Sequence, residues 1–398
     1  MQKNMNKHRS LIYLIFVTVL STGLTMISAF LLAHLLNVED RGTFQLFVTS
    51  VTYLVTIGAG GVGFAFALSM RQRQYLGWAY YFVSFLVVSA LVAIIALCFF
   101  KLTTFPVLFI INVVLTAVLT ITLEKSKIDA NLRFYKAISL QQPILAVLLY
   151  GICYWVFGEQ KLPIVLYLLT GLTCIQALLC LYYLRCINKN FVTEQSQGLS
   201  KIDHHFFRKT WLKQNLLQTF GATTVNLDKF LIVSLMGNYT LGLYTVCIAF
   251  DALLTKFINM LADYYYSGLL NKMNRIKPVL VLVGIMGISA IVIVPLLSEP
   301  IVRFFFTEKY LEVAPILVWF IVNSIIAGLS WVLSQNMLIL GKQILLFTRQ
   351  VISILVLVGL FYYFSELGLY GVAYALIGAS LTRLVISIVY YFKYPILN

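Results

Sequence analysis

The sequence predicts an all-α polytopic membrane protein, with about twelve transmembrane helices in two pseudo-symmetric six-helix lobes around a central cavity. Three observations carry that prediction. Of 398 residues, 61% are hydrophobic and only 11% are charged, beyond what a soluble domain tolerates. Long apolar runs alternate with short charged breaks. The strip Phe30–Phe44 also repeats without a gap, 200 positions on, as Phe230–Tyr244. Phe, Leu, Leu and Gly recur at the same offsets, and each Gly42/Gly242 is followed two residues later by an aromatic. A repeat at half the chain length in so apolar a sequence is the usual build of a transporter.

The apolar runs, in order, are 11–36, 43–69, 77–100, 104–123, 137–157, 163–186, 212–237, 242–268, 278–297, 312–340, 343–364 and 369–392. Each reaches the roughly 20 residues that a membrane crossing needs. The first follows a basic stretch but is too long for a signal-peptide core, so it is read as the first helix. Asn37–Gly42 and Gly237–Leu241 are predicted as tight external turns. The glycine cluster from Gly58 to Gly63 lies inside the second span. No strand precedes it, so it predicts a kink or close helix contact rather than a phosphate loop. The longest polar stretch, Ile187–Thr210, is read as a linker between an N-terminal lobe, 1–200, and a C-terminal lobe, 201–398.

Net charge is +15, but its placement argues against nucleic acid. With a cytoplasmic N-terminus, twenty of the 29 Lys and Arg fall in cytoplasmic segments and five in external loops: Arg41, Lys101, Lys161, Arg303 and Lys309. That bias places both termini inside and makes the number of spans even. The six cysteines lie within or at the ends of spans without CxxC spacing, and read as small apolar residues. No His-Glu-x-x-His, Ser-His-Asp set or Asp-rich motif is present, and the external loops are too short for an active site. The sequence therefore predicts no enzyme, no metal and no cofactor.

Function is expected where polarity enters the membrane, because a charge at bilayer depth costs about 2.5–3.5 kcal/mol on insertion scales. Lys229, Lys256, Arg349 and Arg383 are the bases at that depth; Asp228, Asp251 and Asp263 are the acids. In the seventh span Asn215, Gln218, Thr219, Asn226 and Lys229 share one face, with Asp228 turned away toward a neighbouring helix. The first span has a matching stripe of Thr18, Ser21, Thr22 and Thr25. Asn323, Ser330 and Ser334 form another in the tenth. Arg349 is read as reaching the cytoplasmic surface or lining the interior, and Arg383 as cavity-facing. Asp251 reads as a proton or cation site, or as a structural partner of Lys229 or Lys256.

Asn226-Leu227-Asp228-Lys229-Phe230-Leu231-Ile232, followed by Leu241-Gly242-Leu243-Tyr244, resembles a helix signature of bacterial polysaccharide exporters. These are the Wzx-type O-antigen and capsule flippases of the multidrug/oligosaccharidyl-lipid/polysaccharide exporter superfamily. Leu35-Leu36 through Gly42 resembles a second signature, with His34 in place of the usual Arg and Asn37 in place of the usual Gly. Leu338–Lys342 and Leu367–Ala373 resemble later family features. The resemblance implies a flippase that carries an undecaprenyl-pyrophosphate-linked oligosaccharide across the bacterial cytoplasmic (inner) membrane. It also implies alternating access driven by a proton or sodium gradient, with a polysaccharide polymerase as candidate partner complex. Combined with the residues above, Lys229, Lys256 and Arg383 are expected to contact phosphate, and Asn215, Gln218 and Asn226 sugars. Asp251 is expected to be the coupling acid. The alternatives are a drug or cation antiporter of the same fold, which calls for an acid-dominated cavity, and a membrane enzyme, which calls for a larger external loop.

Overall fold

A computed structural model describes residues 20–100, 103–127, 133–193, 200–271 and 273–396. The described part of the first helix, α1, is Leu20–Leu35. It is followed by α2 (Val38–Ala59), α3 (Val62–Arg71), β1 (Gln74–Leu76), α4 (Trp78–Phe99), α5 (Pro106–Ser126), α6 (Arg133–Phe157) and α7 (Leu162–Thr193). Then come β2 (Ser200–Lys201), α8 (His204–Leu270), α9 (Ile276–Phe306), a short 3-10 segment (Glu308–Val313), α10 (Leu317–Ile339), α11 (Gln343–Tyr363) and α12 (Leu369–Lys393). Ten helices among the described residues are long and apolar enough to cross a membrane. One of them, the 67-residue α8, turns at Gly237 (φ 87°) and so supplies two spans. With the described part of α1, the expected twelve are present.

The predicted external turns are shorter than the sequence reading drew them. Helix resumes at Val38, and a single glycine breaks α8. Arg41, read as a loop residue, therefore stands in the first turn of α2 and is buried.

Contacts divide the chain into two units. One takes the described residues up to Leu36 together with Thr43–Leu227; the other takes Asn37–Gly42 with Asp228–Asn398. In the first unit, α5 is central and packs on α3, α4 and α7. Phe47, Phe109, Ile121 and Leu166 are wholly enclosed there. The short parallel pairing of β1 with β2 ties the residues before the second half to the turn after α3. In the second unit, α12 packs on both α10 and α11, and α9 packs on α10. The other faces stay apolar and exposed: Val83, Val87, Leu91 and Ile95 on α4, and Val281, Ile285, Ile288 and Val292 on α9. Stripes of that width on a soluble protein would aggregate; on a membrane protein they meet acyl chains.

The repeat reappears as a contact. A Cβ on Gly42 would stand 2.8 Å from the carbonyl carbon of Asn238, and a Cβ on Gly242 would stand 2.8 Å from that of Val38. In both cases the carbonyl oxygen is nearer still. Positions 38 and 238, like 42 and 242, are related by the offset of 200. Each glycine is thus pressed on the backbone of the equivalent turn in the other copy, an approach only a residue without Cβ allows.

Candidate functional site

In the first unit, polar groups gather at a broken helix. The run from Val38 to Arg71 is interrupted at Gly61, which takes φ 78°. The break leaves carbonyls at the end of α2 and amides at the start of α3 without their helical partners, although the Thr56 carbonyl still accepts the Gly60 amide at 3.0 Å. The sequence supplies a partner for both ends. Asn215 Nδ2 donates to the carbonyls of Thr56 (2.9 Å), Ile57 (3.1 Å) and Gly60 (3.0 Å). Glu124, near the end of α5, accepts the Gly61 amide at 3.2 Å. α3 has no cap from its own N-cap residue, so Glu124 does that work from another helix. The second carboxylate oxygen is buried without a hydrogen-bond partner, close to the Gln218 side chain. Tyr53 and Thr223 share a hydrogen bond of 2.9 Å further along.

These contacts decide how the predicted stripe is used. Asn215 spends its donor on α2. Asn226 Nδ2 donates to the Ala222 carbonyl of its own helix at 2.9 Å. Gln218 stands beside Gly60 and Glu124. Thr18, the expected mate of Gln218, lies outside the described residues, and Thr25 bonds the Ser21 carbonyl of its own helix at 2.7 Å.

The second unit holds the intramembrane charges. Lys229 and Asp228 form an ion pair at 3.4 Å, both largely buried. Tyr244 donates to the other Asp228 oxygen at 2.6 Å. Asp228 thus faces a neighbouring helix, as its position predicted, but it also neutralises Lys229. Lys256 is exposed on α8. Asp251 is hydrogen-bonded to the Ser324 hydroxyl, which also lies 2.9 Å from the Phe320 carbonyl.

Between α10, α11 and α12 two arginines lack an ion-paired carboxylate, with Asp251 within electrostatic reach of Arg383. Arg349 is 6% exposed, so its reading as a surface-reaching side chain is corrected. Its Nη1 donates to the Ser387 hydroxyl (2.7 Å), and to the hydroxyl and carbonyl of Ser330 (both 3.2 Å). Arg383 donates through Nη2 to Ser380 (2.8 Å), whose hydroxyl donates to Asn323 (2.6 Å). The Nε of each arginine is buried with no hydrogen-bond partner, and neither arginine has a carboxylate oxygen within ion-pair distance among the described residues. The α10 stripe of Asn323 and Ser330 is therefore the polar wall on which both guanidinium groups rest. Outside the spans, burial pushes the Tyr75 phenol up to about 12, a packing effect with no chemistry attached. Among the described residues no group of three or more His, Cys, Asp or Glu could hold a metal.

Glu124 was missed in the sequence because it adjoins Lys125 where a span ends, and charges at span ends read as loop. The sequence left Arg349 between surface and interior because its serine partners come from two other helices.

No protein-family model matches the sequence, and no curated protein does. Solved structures do match over nearly the whole length. A multidrug resistance MATE family transporter of the MOP superfamily, in an inward-facing conformation, superposes with a TM-score of 0.68 at 13% identity, covering 94% of each chain. A MATE structure in complex with MaL6 gives 0.53 at 13% identity over 95% of each chain. A MOP superfamily transporter from Pyrococcus furiosus, described as having a binding pocket of reverse polarity, gives 0.50 at 14% identity over 95% of this chain and 94% of that one. The chain has the fold of these multi-helix membrane proteins.

Proposed function

We propose that this protein is a transporter of an anionic, lipid-linked substrate, namely a flippase for an undecaprenyl-pyrophosphate-linked oligosaccharide. One observation carries the reading: Arg349 and Arg383 are held in the interior of α10–α12 with orphaned Nε donors and no paired carboxylate. Desolvating two cations with no ion-paired carboxylate, and only Asp251 in electrostatic reach of one of them, is costly. A phosphate or pyrophosphate group offers the planar, multi-oxygen acceptor that guanidinium groups match best. Lys256 lies exposed on α8 in the same unit. Lys229 must exchange Asp228 before it can join, which places it behind the arginines.

Asp251 is the proposed coupling acid. The Ser324 hydroxyl has one proton and two acceptors within reach, Asp251 and the Phe320 carbonyl. It donates to an ionised Asp251; once Asp251 carries a proton, it can turn to the carbonyl and accept instead. Protonation thereby switches a contact between α8 and α10.

The antiporter reading is favoured by a different observation, the two buried acids Asp228 and Asp251 in the same unit. The two are separated by expressing the protein in a strain lacking its own glycan flippase. Restored surface glycan that is lost in Arg349→Ala and Arg383→Ala supports the flippase. Drug resistance with no glycan restored, and indifference to both substitutions, refutes it.

A further inference from the structure

Arg41 stands in the first turn of α2, 3% exposed. Its guanidinium carbon lies 5.4 Å from the ring centre of Phe306 and 5.1 Å from that of Tyr310. No carboxylate oxygen lies within 4.0 Å of it among the described residues, and Nη1 is buried with no acceptor. The acids nearby in sequence have other contacts: Asp40 is bonded to Asn37 at 3.1 Å, Glu312 accepts from Tyr239 at 2.9 Å, and Glu308 lies 3.9 Å from Arg303.

The neighbours of Arg41 can donate too. The Tyr310 hydroxyl has no well-formed hydrogen bond and lies within reach of the Arg41 guanidinium, for which it can act as acceptor or donate onward; Thr307, next to Phe306 in sequence, has a buried Oγ1 without a hydrogen-bond partner. Thr307 is also strained: a β-branched residue at φ 78°, a conformation kept where the surroundings require it, often at functional sites. The start of α2 adds the positive end of its dipole. Among the groups described here, Arg41 and the start of α2 are positive, and the Tyr310 and Thr307 hydroxyls can donate.

Packing does not demand the charge. The repeat mate of Arg41 is Leu241, fully buried at the equivalent place in the other copy. An apolar side chain therefore satisfies that position of the turn.

We infer that Arg41, Thr307 and Tyr310 form a binding site for a small inorganic anion of chloride size, at the outer end of α2. Two π faces stabilise the cation from the sides, leaving Nη1 and the hydroxyls to hold the anion. This site is independent of the transport reading and of the arginines between α10 and α12.

The test uses the full chain, purified in detergent. Thermal unfolding is followed in sodium chloride and in sodium gluconate at equal ionic strength, and binding of radiolabelled chloride is measured by equilibrium dialysis. The wild type is expected to unfold at a higher temperature in chloride, saturably, and to bind one chloride through Arg41. Arg41→Leu, copied from position 241, is expected to lose both effects. Tyr310→Phe is expected to weaken binding about tenfold, the worth of one hydrogen bond to a charged group. A wild type that unfolds identically in both salts and binds no chloride overturns the inference, whatever the variants do. So does Arg41→Leu retaining the chloride response.

Discussion

The reciprocal glycine contact makes a sharp prediction. Replacing Gly42 by Ala puts a methyl group 2.8 Å from the Asn238 carbonyl carbon, and replacing Gly242 puts one 2.8 Å from that of Val38, whereas ordinary contacts lie at 3.4–4 Å. The obstacle is backbone in both cases, so no side-chain rotation relieves it. The two helices must part by roughly 1 Å, and overpacking of that kind costs about 1–3 kcal/mol. Alanine returns only about 0.5–1 kcal/mol through its better helix propensity. Each single variant is therefore expected to be destabilised by about 1–2 kcal/mol, and the two to about the same degree, because the offset of 200 relates their surroundings. The double variant is the informative one. Both methyl groups strain a single crossing, so once the first has parted the helices the second costs less, and the combined loss falls short of the two taken separately. Gly221 and Gly284 are the controls, since a Cβ on either meets nothing within 4 Å; alanine there is expected to be neutral or stabilising by up to about 1 kcal/mol. The assay is the thermal unfolding of purified protein in one detergent for all five variants. Gly42→Ala as stable as the controls refutes the close crossing, and strictly additive losses refute the claim that the two glycines share it.

Other outcomes follow from the same contacts. Asn215→Ala removes the donor shared by the carbonyls of Thr56, Ile57 and Gly60 and is expected to cost about 1–2 kcal/mol, read as a lowered unfolding temperature; Asn226→Ala, which loses a bond only to its own helix, is expected to cost much less. Glu124→Gln retains an acceptor for the Gly61 amide and is expected to stay within about 1 kcal/mol of wild type, while Glu124→Leu strands that amide and is expected to lose about 1–3 kcal/mol. Arg349→Met is expected to leave thermal stability unchanged or raised, since apolar replacement of a buried charge is often stabilising, yet to abolish glycan export in the complementation strain. Asp251→Asn fixes the donor arrangement of a protonated acid and is expected to retain substrate binding while losing gradient-driven export.

The architecture was legible because it depends on quantities a sequence displays. Span length, charge bias and glycine placement are local, and the spans, the break near Gly61 and the turn at Gly237 follow from them. The repeat was legible because identical offsets survive translation along the chain, and it pointed to Gly42 and Gly242 before their contact was visible. What spacing could not reveal is which polar groups cancel one another. Helical geometry put Asn215, Gln218, Asn226 and Lys229 on one face. It did not say that Asn215 would be consumed by the carbonyls of another helix, nor that Lys229 would find Asp228 on its own helix. Adjacent residues on a helix point about 100° apart, but a lysine is long enough to bend back. Glu124 and Arg41 were invisible for a common reason: each acts on an element remote in sequence, and each stands near a break where charge normally means solvent.

The division between cancelled and bare charges is the strongest physical clue the chain offers. A membrane protein has a cheap way to bury a base, and this one uses it at Lys229, where Asp228 and Tyr244 complete the partnership. It has a cheaper way still, an apolar residue, and uses that at Leu241. Against those two local precedents, Arg41, Arg349 and Arg383 are kept cationic without an ion-paired carboxylate, and each retains a buried donor nitrogen with no hydrogen-bond partner among the described residues, although Asp251 lies within electrostatic reach of Arg383. Stability alone does not select such an arrangement, because breaking or omitting a buried pair costs several kcal/mol that leucine or methionine would restore. The three sites differ in what surrounds the charge. Arg41 is flanked by two aromatic rings, Phe306 and Tyr310, whereas Arg349 and Arg383 rest on a wall of serines. On the proposed readings the first holds a resident anion and the second pair meets a travelling one, so that of the three only Arg349→Ala and Arg383→Ala are expected to change what is carried.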